Sequence, residues 1–333
     1  MESQLLKIGG TLYADSQIII CRFTSPRVVV STSLYNGGYL TADAVFNQRL
    51  SFFVNSEQDL PGGSMANYLR IVAEKRGLNS KRATGLLTNA RMHCRGYSME
   101  TYNETIIEVV ATAGVDGNAV RAGDAACYVE HNGEYLPVGG TINIVALTNV
   151  NLPPGTMAKA LISITEAKTA VLQELAVVSP LTGNQATGTG TDGIILACNP
   201  ASTVVCSDVG TQSKLGELFC RAVKDAVSQS LAKECNREPQ RQGEVHERMN
   251  RLRIDVKYAP DLVVRPSQAK MLLAMAQSIW QEYCWGLFTR AEVDQFFEFL
   301  KTRSLQPEGS IIAAELTKKM RESKLTTQAG GAK

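Results

Sequence analysis

The chain has 333 residues, 44% hydrophobic and 20% charged, enough for one large domain or two ordinary ones with a sizeable core. A net charge of +2 is too small for a nucleic-acid footprint, no apolar run reaches the ~18 residues of a membrane span, and Met1–Gly10 lacks the basic-then-apolar order of a signal peptide. The 8 cysteines have no C-x-x-C spacing and only 3 histidines occur, which speaks against a zinc ribbon, a disulfide framework and H-E-x-x-H zinc chemistry and points to reduced thiols in the cytoplasm.

Strand and helix signals follow in order. Ser16–Phe23 and Pro26–Ser33 are β-rich runs expected to pair around Thr24-Ser25. Tyr39–Val54 reads as further extended chain. Ser64 is a helix cap for a segment running to Arg76, with Gly77 as its stop. Thr105–Ala113 and Thr141–Thr148 are strands, and a helix is expected over Thr156–Ala176. Gly193–Asn199 and Ser202–Ser207 read as short strands, and Ser213–Cys235 as a long amphipathic helix. Several strands are separated by turns too short for crossover helices, so the expected class is α+β, layered sheet and helix, rather than an alternating βαβ sheet.

Charge and composition change near residue 235. Residues 1–232 carry a net −2 and hold most of the glycine-rich loops, while residues 233–333 carry +4. The expected organisation is an α+β domain over 1–235, a helical extension over 236–325 and a disordered tail over 326–333. In the extension, helices are expected over Pro239–Lys257, Arg265–Trp285, Thr289–Arg303 (opened by a Thr289-x-x-Glu292 capping box) and Gln306–Lys324. Its aromatic residues read first as a small helical core, with a dimer contact or a lid as functional readings.

Four loops or helix positions carry candidate chemistry. Ala186-Thr187-Gly188-Thr189-Gly190-Thr191-Asp192 offers flexible backbone, hydroxyls and a carboxylate, but a strand follows it where a phosphate loop needs a helix. Gly210–Glu217 has the loop-then-helix order, with Lys214 placed to strengthen an anion site. In the helix through Thr165-Glu166-Ala167-Lys168, the apolar spacing puts Lys168 inside the seam, where a lysine must snorkel, pair with an acid or face a site. Arg121 and Asp124 are spaced to pair locally. Asn143, between Ile142 and Ile144, points to the opposite face of its strand, either to solvent or to a ligand. No G-x-S-x-G elbow occurs, and Cys94 beside His93 is set aside because adjacent side chains rarely face each other.

In order, Leu34-Tyr35-Asn36-Gly37-Gly38, Gly85-Leu86-Leu87-Thr88, Thr112-Ala113-Gly114-Val115 with Asn118-Ala119 and Arg121-Ala122-Gly123-Asp124, Gly140-Thr141-Ile142-Asn143, Thr165–Lys168, Ala186–Asp192, and Gly210-Thr211 with Lys214–Glu217 resemble the adenosylcobinamide amidohydrolase (CbiZ) family over about residues 10–232. The resemblance implies hydrolysis of the amide that joins a corrin propionyl arm to aminopropanol, in cytoplasmic salvage of corrinoids for coenzyme B12. The partner implied is a corrinoid substrate, whose cobalt enters with it. No resident cofactor or metal ligand is assigned, and a homo-oligomer is left open. Polar rims around a broad apolar site are expected from Asn36, Gly37, Thr88, Asn118, Arg121, Asp124, Thr141, Asn143, Gly188, Gly190, Lys214 and Glu217. With histidine scarce, Asp192 or Glu166 is expected to activate water or the hydroxyl of Thr189 or Thr191, and Lys168 or the Gly188–Gly190 amides to hold the oxyanion. Two rivals remain: a corrinoid-binding protein without hydrolysis, and a phosphate or nucleotide enzyme.

Overall fold

The computed structural model opens on a two-strand ribbon, β1 (Glu2–Leu6) and β2 (Gly10–Ala14), antiparallel to each other. Residues 1–52, 54, 56–126, 141–251, 266–284 and 286–303 are described. The motif glycine Gly140, the segment Gln306–Lys324 and the 326–333 tail lie outside them.

The two runs between Ser16 and Ser33 are not a hairpin. They form one 14-residue strand, β3 (Ile18–Ser31), whose register against β4 (Gly38–Arg49) shifts between Arg22 and Arg27. The shift bends β3 instead of reversing it, so one strand serves two parts of the sheet. Its first half pairs with β2 and its second half with β11 (Gly193–Cys198), while β4 follows it along the other side.

A helix, α1 (Met65–Lys75), follows β4; Ser64 Oγ accepts the Asn67 amide at its start, and Gly77 ends it at φ +64°. The strand β5 (Ala83–Thr88) then pairs parallel with β4. The hairpin β6 (Gly96–Tyr102) and β7 (Thr105–Ala113) leads to β9 (Ile142–Thr148), which pairs antiparallel with β7 and parallel with β11. The intervening β8 (Ala119–Val120) pairs antiparallel with β10 (Gly188–Thr189) in a small separate ribbon. Two long helices, α2 (Pro154–Glu174) and α3 (Lys214–Cys235), complete the unit. Ser202–Ser207 is not a strand; only Val205 bridges to Asn151. The class is α+β, as expected.

The core explains the bend. Residues alternate across each strand, so neighbours face different layers. In the first half of β3, Ile18 and Ile20 pack with Phe46 and the α1 residues Leu69 and Val72, while Ile19 and Cys21 face inward. In the second half, Val30 joins the layer under α2 and α3, while Val29 faces inward. The inward residues, with Leu12, Val45, Leu86, Val110, Val145 and Ile195, form a core enclosed by the curled sheet itself. Helices therefore cover the outside, and the inside is side chain against side chain.

The chain divides into two compact units, Met1–Glu238 and Pro239–Lys333. Among the described residues, the second unit holds α4 (Pro239–Gln242), α5 (Val245–Arg251), α6 (Pro266–Cys284) and α7 (Arg290–Arg303). At the start of α7, the Thr289 amide donates to Glu292 Oε2 at 2.7 Å and the Glu292 amide donates to Thr289 Oγ1 at 3.3 Å. Among the described residues, no helix is long and apolar enough to cross a membrane.

Candidate functional site

One end of the enclosed core turns polar. Val45, Val110 and Val145 belong to the inner apolar layer, and two residues further toward this end their strands carry Asn47, Thr112 and Asn143 on the same face. All three are buried and bonded to one another. Asn143 Nδ2 donates to Asn47 Oδ1 at 2.8 Å and to the Leu87 carbonyl at 3.0 Å, and Asn47 Nδ2 donates to Thr112 Oγ1 at 2.8 Å. Asn143 is thus neither solvated nor simply exposed to a ligand; it locks β9 to β4 and β5. Gly193 is opposite it because a Cβ there would come within 2.8 Å of Asn143 Oδ1.

On the other face of the same strand ends sits an ion pair. Lys168 is only 7% exposed and its ammonium bonds Asp192 Oδ2. Asp192 Oδ2 also accepts the Thr189 amide at 3.1 Å, while Oδ1 accepts the Ile142 amide at 3.1 Å and the Thr189 hydroxyl. Four donors meet one carboxylate, close to its full capacity. A buried lysine is tolerable only with such a partner. The pair, whose members are 24 residues apart in sequence, ties α2 to the starts of β9 and β11. Beside it, the hydroxyls of Thr141 and Thr191 bond each other.

The two loop glycines differ: a Cβ at Gly190 would meet nothing within 4 Å, whereas Gly188 is hemmed in. Neither Gly188 nor Gly190 has a positive φ. At Gly188 a Cβ would lie 2.5 Å from Asp192 Oδ2 and 2.7 Å from Lys168 Nζ, so the space is taken by the protein's own ion pair rather than by a ligand.

The β8–β10 ribbon brings the Asn118–Asp124 loop to the same corner. The Thr187 amide donates to Val120 O, the Ala122 amide donates to Thr187 Oγ1, and the Thr169 hydroxyl donates to Thr187 O, each at 2.9 Å. Asn118 is buried. Arg121 and Asp124 meet locally, the Arg121 amide donating to Asp124 Oδ2 at 2.9 Å. Burial opposes ionisation of Asp124, but hydrogen bonds from Ser179, Arg121 and Thr182, with the Arg121 charge, outweigh it and hold its carboxyl below the usual range. Thr88 ends β5 next to Leu87 and is buried, its hydroxyl accepting the Ala90 amide.

Four expected residues and one catalytic candidate stand elsewhere. Asn36 is a turn residue at φ 48° whose side chain donates to Ser80 O and Ala83 O, both 2.8 Å, and Gly37 completes that turn. Ala83 and Leu87 are four positions apart on β5, roughly 13 Å. Lys214 pairs with Glu217 at the far end of α3 and lines a separate cavity of about 470 Å³ with Tyr102 and Leu218. Ser230, which meets Ala113 beside the polar corner, lies sixteen residues along that helix, roughly 24 Å away. Glu166 is exposed, and its charge helps raise the Cys220 thiol of α3, behind the larger effect of burial. Cys94 is buried, and burial pushes its thiol up.

Asn47, Thr112 and Arg49 were not singled out from the sequence as site residues. The available signal was the alternation Val45-x-Asn47-x-Arg49, an apolar strand face turning polar toward its end. Among the described residues, no group of three or more His, Cys, Asp or Glu side chains gathers to hold a metal ion.

The chain belongs to the adenosylcobinamide amidohydrolase (CbiZ) family, whose model matches residues 5–239. The family name denotes hydrolases that act on an amide. An uncharacterized protein of Methanocaldococcus jannaschii is 37% identical over 180 residues, half of this chain and 70% of that protein. The adenosylcobinamide amidohydrolase of Methanosarcina mazei is 29% identical over 188 residues, 56% of this chain and 75% of that protein. Among solved structures, the Burkholderia sp. beta-aminopeptidase aligns over 69% of this chain and 82% of its own with 11% identity and a TM-score of 0.33.

Proposed function

We propose that the chain hydrolyses the amide of adenosylcobinamide, releasing adenosylcobyric acid and aminopropanol, in cytoplasmic corrinoid salvage. The observation that carries this reading is the convergence of Lys168, Asp192, Thr189, Thr191, Thr141 and Asn143 at one end of the sheet, within the segment that matches the family. The chemistry belongs to the first unit, and the helices after Glu238 form an extension outside it.

In the reaction a water oxygen bonds to the amide carbon, the carbon–nitrogen bond breaks, and the departing amine takes a proton. Asp192 is the proton acceptor. The Thr189 hydroxyl already directs its hydrogen at Oδ1, so a proton lost by the attacking water passes through Thr189 to Asp192. Lys168 is paired with Asp192 and fixes that carboxylate beside Thr189. The Thr141 and Thr191 hydroxyls orient the amide, and Asn143 fixes the strand that carries Thr141. Glu166 takes no part.

The test is adenosylcobinamide hydrolysis by folded variants. Asp192→Asn removes the carboxylate that accepts the proton and, with Lys168→Met, is expected to slow hydrolysis at least ~100-fold. Glu166→Gln is expected to stay within about twofold, as for an exposed charge outside a site. Wild-type rates in both Asp192→Asn and Lys168→Met would remove these roles.

A further inference from the structure

Arg49 is the last residue of β4 and sits two positions beyond Asn47 on the inner strand face. The ladder is still regular there: Arg49 is in register with Thr88 of the parallel strand β5, and its amide donates to Gln17 O at 2.7 Å. Gln48 Nε2 donates to the Arg49 carbonyl at 2.7 Å, so the backbone is held on both sides. The side chain is half-buried, and Nε is fully covered with no hydrogen-bond partner among the described residues. Two other cations at this end are committed: Lys168 to Asp192, and Arg121 to the Gln185 carbonyl and its own loop.

A covered guanidinium nitrogen without a protein acceptor is left unsatisfied by the protein, and an acceptor brought by a ligand would satisfy it. Its neighbours on this face define that ligand. Thr88, Asn47, Asn143 and Thr112 are neutral amides and hydroxyls. They add no second charge beside Arg49, so its surroundings suit a neutral amide better than a multiply charged phosphate. One cation among neutral donors matches a substrate that gains a single negative charge during reaction.

We propose that Arg49 binds the acyl oxygen of the scissile amide, first as carbonyl, then as oxyanion, and finally as the product carboxylate. This role rests on the amide-hydrolysis reading above. It assigns the oxyanion to β4, across the sheet end from Asp192, which leaves Lys168 to govern Asp192 alone. Because the charge on the acyl group grows from substrate to product, Arg49 grips the product more tightly than the substrate.

The experiment compares wild type, Arg49→Met, Arg49→Gln and Arg49→Lys, each checked for folding by circular dichroism, in adenosylcobinamide hydrolysis and in inhibition by added adenosylcobyric acid. Arg49→Met is expected to lower kcat/KM about 100-fold and to raise the inhibition constant of the product at least tenfold, with Arg49→Lys recovering part of both. Arg49→Gln, of similar length and uncharged, decides the matter if the methionine variant does not fold. Wild-type kcat/KM and wild-type product inhibition in the folded uncharged variant would overturn the role. So would a lower kcat/KM with unchanged product inhibition and no recovery by lysine, the mark of a merely structural arginine. If wild type itself leaves adenosylcobinamide intact, the hydrolysis reading fails and this role with it. If wild type cleaves it and the uncharged variant cleaves it as fast, only the role of Arg49 fails.

Discussion

Lys168 and Asp192 show what single residues disclose. The apolar spacing of α2 places Lys168 in a seam where it must find a partner, and Asp192 stands out as the acid of a glycine–threonine loop. Their contact spans 24 residues and a helix-to-strand connection, so no local pattern records it. Gly188 is misleading for the same reason, since the atoms that exclude a side chain there belong to the distant pair. Glu166 was a fair candidate by residue type, but its position on the helix turns it away from Asp192. Asp124 supplies a test by pH at this scale. Its carboxyl is held below the usual range by Ser179, Arg121 and Thr182 against the cost of burial. A depressed carboxylate stabilises the fold above its unfolded pKa of about 3.9, and that contribution fades as pH falls through the folded value. Thermal melts of wild type and Asp124→Asn should therefore differ at pH 7 and converge as the pH drops below about 4. An equal gap at pH 7 and at low pH would contradict this.

Elements were legible where their signals are local. The cap Ser64, the stop Gly77 and the strand Thr105–Ala113 appear where the sequence places them. The bend in β3 was not legible, because a turn and a bulge leave similar short breaks in a β-rich run, and only the partners β2, β4 and β11 distinguish them. The ribbon β1 and the edge strand β6 are polar on one side and lack a long apolar run, so pairing rather than composition reveals them. The same long-range fit governs how α3 meets the sheet. Ser230 Oγ, fully buried, accepts the Ala113 amide at 2.8 Å, closing the end of β7 beside the polar corner. Ser230→Ala leaves that amide without a partner and is expected to cost about 1–3 kcal/mol in urea unfolding. Gly96 lies against the Ala226 carbonyl of α3, where a Cβ would overlap it. Gly96→Ala is expected to destabilise by at least ~1–3 kcal/mol through forced separation of β6 from α3. Unchanged midpoints in both variants would mean that α3 does not fix this edge.

At the scale of the whole molecule, the change of charge near residue 235 and the division after Glu238 fall close together, and the family match ends at residue 239. Every residue given a role in the chemistry lies before that division. A chain ending at Glu238 is accordingly expected to fold and to hydrolyse adenosylcobinamide at a rate within about threefold of the full chain, as read by aminopropanol release. Loss of hydrolysis in a folded truncation would bring the helical extension into the site. The class of the fold was legible from the spacing of strands and helices, and the order of the loop motifs pointed to the family. The closure of the sheet around its own core, which gathers those loops at one end, rests on the pairing of β11 with β3, more than 160 residues away in sequence, and with β9, 50 residues away.

The most direct measurement is the incubation of purified full-length protein with adenosylcobinamide, followed by quantification of aminopropanol and of the corrinoid product. Release of one aminopropanol for each adenosylcobyric acid formed, abolished in Asp192→Asn, is the predicted result. Binding of adenosylcobinamide with no aminopropanol released would contradict hydrolysis and leave a corrinoid-binding protein in its place.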